Sequence, residues 1–198
     1  MKLYGDTQSG NCYKIKLLAA LLDLDMEWVH IDILAGETHT EEFLARTPNG
    51  KIPLLELDNG RCLSESNAIL NFLGRDSKLV PNDPFTHAKV QQWQFFEQYS
   101  HEPYIAVARF IAKYLGLPEA SRDEYESKQK SGHKALGVME HQLAETPFLT
   151  GDSITTADIS LYGYTHVAHE GGFDLKLYPG IQGWMERIKS MPGYAGMS

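Results

Sequence analysis

One stretch, residues 47–73, constrains the fold of this chain more than any other. It predicts a loop, a short apolar strand at Ile52–Leu55, a tight turn, a return strand from Cys62 and then a helix. Asp58, Asn59 and Gly60 form the turn, because Asn and Gly tolerate the positive φ that a short hairpin needs. Apolar residues three and four positions apart after this hairpin predict the helix.

Two features of this stretch predict a binding site. Pro53 lies within the first strand, where it cannot donate to the sheet, and prolines in such places are often cis. The backbone of Ile52 is then free to pair with something other than protein. Glu65-Ser66 opens the helix, where a hydroxyl, free N–H groups and the positive dipole end suit a carboxylate, while Glu65 suits an ammonium. We expect this stretch to bind a peptide-like small molecule.

The first 77 residues predict an α/β domain. A strand at Leu3-Tyr4 precedes a helix from Asn11 or Cys12 to about Leu22, and residues 27–33 alternate as a strand does. Thr38-x-x-Glu41 is a capping box for a short helix. With the hairpin and its helix, the order is βαβαββα, a thioredoxin-like arrangement with a mixed four-stranded sheet.

The rest of the chain predicts a linker and an all-helical domain. Residues 78–84, with two prolines, interrupt all periodicity and separate domains 1–77 and 85–198. A long helix is expected from about residue 85 to 115, kinked at Pro103. Capping boxes at Ser121–Glu124 and Thr155–Asp158 open two more helices, and residues 179–191 form the last.

Composition excludes several classes of partner. A net charge of −8 over 198 residues disfavours a nucleic-acid surface. No apolar stretch approaches a membrane span, and the start of the chain lacks a signal-peptide run. The two cysteines make no C-x-x-C and no metal spacing, which indicates a reducing, cytoplasmic setting. His166-x-x-His169-Glu170 lacks the order and the third ligand of a metal motif, so no metal is expected.

Four motifs, in this order and at these separations, make the sequence similar to the cytosolic glutathione S-transferases, in particular to bacterial, serine-type members of the theta/beta kind. They are S-G-N-C-Y-K-I-K at 9–16, N-G-K-I-P at 49–53, E-S at 65–66 and T-T-A-D-I at 155–159. The resemblance implies a thioredoxin-like glutathione-binding domain, a helical C-terminal domain, a homodimer and glutathione as co-substrate. It also implies an enzyme that transfers glutathione to small hydrophobic electrophiles.

The resemblance implies roles for individual residues. Ile52 would bind the cysteinyl backbone of glutathione next to Pro53 as the cis-proline, and Glu65-Ser66 would hold the γ-glutamyl ammonium and carboxylate. Lys51 and His39 are candidates for the glycine carboxylate. Thr155 and Asp158 match the folding motif of the family and not its active site.

The chemistry that the resemblance implies is stabilisation of a thiolate. A free thiol has a pKa of about 8.5 and is mostly protonated at neutral pH. Ser9 lies where serine-type members keep a hydroxyl, although a serine there is also a plain helix N-cap. Asn11 can donate an amide N–H to sulfur and ranks second. Cys12, expected to be packed on the helix, and Tyr4, on the first strand, rank below them.

The sequence identifies neither the electrophile nor which reaction of glutathione the chain would catalyse. The family places that pocket along the long helix, which makes Tyr104, Arg109 and Tyr114 candidates for its lining. Apart from conjugation, relatives with Ser or Thr and Asn in the first loop favour reduction of disulfides or peroxides by two positioned glutathione molecules. A third alternative is a non-catalytic ligand-binding module, since fold alone does not decide function.

Overall fold

The computed structural model describes residues 1–197, which divide into two compact units. One unit holds Met1–Ser77 and the C-terminal residues from Met191 on, and the other holds Lys78–Ser190. The sequence analysis assigned the C-terminal residues to the helical domain, whereas here they join the first unit. Tyr13 Oη donates a hydrogen bond to the carbonyl of Ala195 at 2.8 Å, which holds this tail against the first helix.

The first unit is a mixed four-stranded sheet with three helices, as the sequence predicted. Its strands are β1 (Lys2–Gly5), β2 (Glu27–His30), β3 (Leu54–Glu56) and β4 (Cys62–Ser64). Its helices are α1 (Gly10–Leu21), α2 (Glu41–Arg46) and α3 (Ser66–Gly74). The strand order is β2-β1-β3-β4, in which β1 runs parallel to β2 and antiparallel to β3, and β3 runs antiparallel to β4.

Alternation along the strands gives the sheet two apolar faces. Tyr4 and Leu54 are paired in register, and Phe43 of α2 packs against them in one buried cluster. Leu3 and Leu55, the next pair, point to the opposite face and are fully buried. Because both faces are covered, the sheet is a fixed frame for the loops at its ends.

The cap of α2 corrects one expectation. Thr40, and not Thr38, is its N-cap, since Thr40 Oγ1 accepts a hydrogen bond from the backbone N–H of Phe43 at 3.3 Å. Thr38 is buried in the 3₁₀ turn Glu37–His39 that precedes the helix. The sequence pattern favoured Thr38 because Glu41 stands three residues after it, whereas Phe43 stands three residues after Thr40.

The second unit is helical throughout. Its helices are α4 (Pro84–Phe96), α5 (Glu102–Arg109), α6 (Arg122–Glu145), α7 (Thr156–Thr165) and α8 (Pro179–Lys189). Two π-helical turns, Glu97–His101 and Phe110–Tyr114, continue α4 into α5 and beyond, so the predicted long helix is present. The first widened turn comes directly before Pro103, where the helix lacks one N–H donor.

The capping predictions for α6 and α7 had different outcomes. Thr155 and Asp158 form the predicted capping box, with Asp158 Oδ2 accepting from the Thr155 N–H at 2.8 Å. Ser121 precedes α6, but its hydroxyl accepts no hydrogen bond from the N–H groups of the first turn, all of which lie in the described part of the chain. The capping box predicted at Ser121–Glu124 was therefore wrong. No helix among these residues is both long and apolar enough to cross a membrane.

Candidate functional site

The register of the sheet brings three of the predicted site segments to one end. Tyr4 of β1 pairs with Leu54 of β3, and Leu54 pairs with Ser64 of β4. The loop after β1, the residues before β3 and the residues after β4 therefore leave the sheet side by side. The bond between Ile52 and Pro53 in this group is cis, and Pro53 comes just before β3 and not within it.

Ser9 lies at the start of α1, in the loop that follows β1. It is half-buried and is the N-cap of the helix, with its Oγ accepting from the Cys12 N–H at 3.4 Å. Its own N–H donates to the carbonyl of Asp6 at 3.0 Å, which closes the loop. A hydroxyl at this position sits among the first N–H groups of a 12-residue helix, where negative charge is favoured.

Cys12 is fully buried below Ser9, as the sequence analysis expected. Burial raises the pKa of its thiol to about 12, although hydrogen bonds from Ser9 and the Asp6 backbone act in the opposite direction. A thiol with that pKa stays protonated at neutral pH and is a poor nucleophile. Cys12 is therefore not the reactive group of this site.

Asn11 belongs to a compact polar cluster that joins α1 to α3. Its Oδ1 accepts from Lys14 Nζ at 2.8 Å and from the Ser66 hydroxyl at 3.2 Å. Lys14 Nζ also donates to Ser66 Oγ at 3.2 Å. These contacts link the loop that would hold the sulfur of a bound tripeptide to the helix start that would hold its amino-acid end.

Glu65 and Ser66 form the turn from β4 into α3. Glu65 is exposed and has a φ of 70°, an uncommon value for a residue other than glycine. Ser66 is buried and is the first residue of α3. Strained backbone at such a position is typical of functional sites, and it turns the Glu65 carboxylate to the surface beside a helix N-terminus.

His39 and Lys51 lie next to each other at the surface of the same unit. Both side chains are exposed. Gly50, with a φ of 60°, approaches His39 so closely that a Cβ there would lie 3.3 Å from His39 Nδ1. The turn before Lys51 thus packs against His39, and an ammonium and an imidazole N–H at this place suit a shared carboxylate.

Tyr4 is occupied elsewhere in the first unit. Its hydroxyl donates to Glu56 Oε2 at 2.8 Å, and the Arg46 guanidinium lies 4.8 Å from its ring centroid. It belongs to the buried cluster under α2. These contacts fit the low rank that the sequence analysis gave it.

The three candidates for the electrophile pocket have different environments in the second unit. Tyr104 borders a small cavity of about 170 Å³, while Tyr114 stacks on Phe110 with 5.2 Å between ring centroids. Arg109 is only 2% exposed, and its guanidinium is paired with Glu170. The surroundings of Arg109 are those of a structural ion pair and not of a pocket wall.

Lys14 was not among the site residues predicted from the sequence. It is 0% exposed, although lysine is almost never fully buried unless it is paired. Two signals in the sequence point to it: it stands three residues after Asn11 on the same helix face, and it lies between apolar residues. Its contact with Ser66 crosses 52 positions and has no signal in a single sequence.

Comparison with known proteins places this geometry in a family. Residues 1–75 match the family model of the glutathione S-transferase N-terminal domain, and residues 93–192 match that of the C-terminal domain. The crystal structure of a glutathione S-transferase from Pseudomonas fluorescens is 62% identical, with a TM-score of 0.98 over 99% of this chain and 98% of that one.

Two further relatives are more distant. The disulfide-bond oxidoreductase YfcG of Escherichia coli is 28% identical over 92% of this chain and 87% of its own. The glutathione transferase URE2P6 of Phanerochaete chrysosporium, solved in complex with oxidized glutathione, is 25% identical, with a TM-score of 0.87 over 97% of this chain and 91% of that one. The two domain models together match most of the chain, and the chain belongs to the glutathione S-transferase family.

Proposed function

We propose that this chain binds glutathione at the end of its sheet and ionises the thiol for attack on a small hydrophobic electrophile. The observation that carries the proposal is the convergence of Ser9, Ile52-Pro53 and Glu65-Ser66 at one end of β1, β3 and β4. In this arrangement Ile52 pairs with the cysteinyl backbone. Glu65 takes the ammonium, and the start of α3 takes the γ-glutamyl carboxylate.

Thiolate stabilisation falls to Ser9 and Asn11. The Ser9 hydroxyl and the Asn11 amide are donors at the first turn of α1, and the helix dipole adds positive potential there. His39 and Lys51 bind the glycine carboxylate at the other end of the tripeptide. Each unit by which the thiol pKa falls corresponds to about 1.4 kcal/mol of preference for the thiolate.

In this proposal the electrophile binds beside the sulfur. The rate then depends on holding the two reactants close together as well as on ionising the thiol. Tyr104 and Tyr114, on the long helix where the resemblance implies the electrophile pocket, are our candidates for its lining. Arg109 contributes only through Tyr114, whose ring centroid lies 5.8 Å from its guanidinium. No metal takes part in this proposal.

A second candidate function is glutathione-dependent reduction of disulfides, which the likeness to YfcG favours. Since Cys12 is buried and protonated, it does not supply the attacking thiolate, and this proposal gives that role to glutathione. Two glutathione thiols would each lose one proton and one electron to form glutathione disulfide. The substrate disulfide would take up both electrons and both protons and become two thiols.

We further propose that the protein is a cytoplasmic homodimer. Phe95 and Tyr99 lie four residues apart on α4 and its continuation, and they are 72% and 84% exposed in the single chain. Two such rings on one helix face are typical of a protein contact. Both cysteines are free thiols, which fits a reducing compartment.

Glutathione binding and conjugation test the main proposal. Titration calorimetry should show binding of glutathione, and an aryl halide assay should show conjugation. Ser9→Ala and Asn11→Ala should each lower kcat/KM by about 10- to 100-fold, since each removes a charge-assisted hydrogen bond. Ser127→Ala, an exposed serine on α6, is the matched control and should leave kcat/KM unchanged.

Unchanged kcat/KM in both site variants would contradict the catalytic assignment. Parallel assays with a mixed disulfide of glutathione separate the two candidate functions. A rate of disulfide reduction above the rate of conjugation would favour the reductase.

A further inference from the structure

We propose that Lys14 is a positioning residue that orients Asn11 and Ser66 and places a buried positive charge beneath the glutathione site. This inference rests on the proposed function. Lys14 has 0% exposure, and its Nζ donates to Asn11 Oδ1 at 2.8 Å and to Ser66 Oγ at 3.2 Å. An ammonium with these two contacts joins the part of the site that would hold the sulfur to the part that would hold the γ-glutamyl group.

The contacts of Lys14 fix which way the Asn11 amide faces. An ammonium is only a donor, so the amide atom that it meets must be the oxygen. The Ser66 hydroxyl also donates to that oxygen at 3.2 Å. With Oδ1 held by two donors, the Nδ2 group of Asn11 turns the other way, and that is the end which can donate to a thiolate. Without Lys14 either end of the amide could face the sulfur.

The same ammonium supports the start of α3. Ser66 is the first residue of that helix, and its Oγ accepts from Lys14 while its hydroxyl proton points to Asn11. The first N–H groups of α3 are thereby held where a carboxylate would bind. A full positive charge beneath them adds to the partial charge of the helix end.

The charge itself has a second effect. An opposite charge within a few ångströms of a titrating group favours the ionised form, and low exposure limits screening by solvent. Lys14 therefore favours both the thiolate near Asn11 and the carboxylate near Ser66. A lysine that only filled space in α1 would influence neither group.

Replacing Lys14 with Met tests this role. The side chains have similar lengths, so methionine fills the space that lysine leaves, and Asn11 Oδ1 keeps its hydrogen bond from the Ser66 hydroxyl. We expect Lys14→Met to raise the pKa of the bound glutathione thiol by about one unit. The ultraviolet absorbance of the thiolate measures this pKa, and so does the pH profile of kcat/KM for the electrophile at saturating glutathione. At neutral pH kcat/KM should fall about tenfold, and KM for glutathione should rise.

Three comparisons separate positioning from a merely structural role. At a pH well above the raised pKa, the kcat of Lys14→Met should recover toward that of the wild type, which no folding defect would allow. In the background of Asn11→Ala, loss of Lys14 should raise the thiol pKa by less than it does in the wild type, because the orientation of the amide is already lost and only the effect of the charge remains. Lys16→Met removes the same charge from another face of α1, two residues away, and should leave the thiol pKa unchanged.

Lys14→Gln provides a second variant if the Met variant is unstable, since it keeps two N–H donors and removes the charge. The pKa of the glutathione thiol bound to Lys14→Gln should lie between the values for the wild type and for Lys14→Met. A folded Lys14→Met or Lys14→Gln with the wild-type thiol pKa and pH profile would overturn the inference and leave the proposed function intact. A wild type that binds no glutathione would overturn the proposed function, and this inference with it.

Discussion

At the scale of single residues, environment and not residue type decides which side chain reacts. Ser9 and Cys12 are three residues apart in the first turn of α1, and sulfur is the better nucleophile in solution. Burial raises the pKa of Cys12 to about 12, while Ser9 stays half-buried at the helix N-terminus. The hydroxyl of Ser9, and not the thiol of Cys12, is thus the group accessible to a ligand.

The two cysteines should differ sharply in reactivity. Cys62 is exposed, whereas Cys12 is buried. An aromatic disulfide reagent should titrate one thiol per native chain and two per denatured chain, and Cys62→Ser should abolish the native reaction. Cys12→Ala should keep kcat/KM with glutathione within about twofold. A large loss of activity in Cys12→Ala, or a mixed disulfide at Cys12, would contradict our assignment.

At the scale of elements, the sequence predicted the order and type of almost every helix and strand. Their ends depended on local hydrogen bonds that the pattern does not resolve. Thr155–Asp158 was identifiable because both halves of its capping box are present, while the similar pattern at Ser121 forms no cap. The candidate site was predictable where neighbours in sequence carry it, as at Glu65-Ser66. The contact of Lys14 with Ser66 was not, since it depends on how α1 meets α3.

The capping box of α7 should be costly to remove. Asp158 is fully buried and accepts from the N–H groups of Leu149 and Thr155 and from Trp184 Nε1, at 2.8 to 2.9 Å. Asp158→Ala leaves three buried donors without an acceptor, so we expect the free energy of unfolding to fall by about 3 kcal/mol or more. Urea denaturation measures this loss.

Asp174→Ala is the matched control for Asp158. Asp174 is also an N-cap, accepting from the Lys176 N–H at 3.0 Å, but it is exposed. Its loss should cost only about 1 kcal/mol. Equal costs for the two variants would show that burial of the capping box does not contribute to stability.

At the scale of the whole molecule, the partly buried His166 should make stability depend on pH. His166 stacks on Tyr162 with ring centroids 4.8 Å apart, and its Nδ1 contacts the Tyr162 carbonyl at 2.7 Å. Burial lowers the pKa of His166 from 6.5 to about 4, and the charge of Arg109 acts in the same direction. The native state therefore resists protonation that the unfolded chain accepts.

The direction of the effect follows from proton linkage. Between pH 6.5 and 4 the unfolded chain binds more protons at this position than the native one, so stability falls as pH falls through that window. Near pH 4 this effect lowers the free energy of unfolding by roughly 3 kcal/mol relative to neutral pH. His166→Phe keeps the stacked ring without a titrating group. Its unfolding free energy, measured across this window, should vary less with pH than that of the wild type. An identical pH dependence would contradict the prediction.

Dimerisation is the second property of the whole molecule that can be tested, and the exposed rings of Phe95 and Tyr99 predict it. Phe95→Glu should convert the proposed dimer to a monomer in analytical ultracentrifugation, because a carboxylate would be buried in an apolar contact. Phe85→Glu changes a similarly exposed ring ten residues earlier in α4, roughly 15 Å away along the helix axis, and should leave the dimer intact. A wild type that sediments as a monomer would contradict the assembly proposal alone.

The central claim is that the thiol of bound glutathione is ionised. The number of protons released on binding measures this ionisation directly. Titration calorimetry with glutathione at neutral pH, in buffers of different ionisation enthalpy, gives the number of protons released. We predict close to one proton for glutathione, whose free thiol is mostly protonated at that pH, and none for S-methylglutathione, which has no thiol to ionise. Binding of glutathione with no proton release would contradict the central claim.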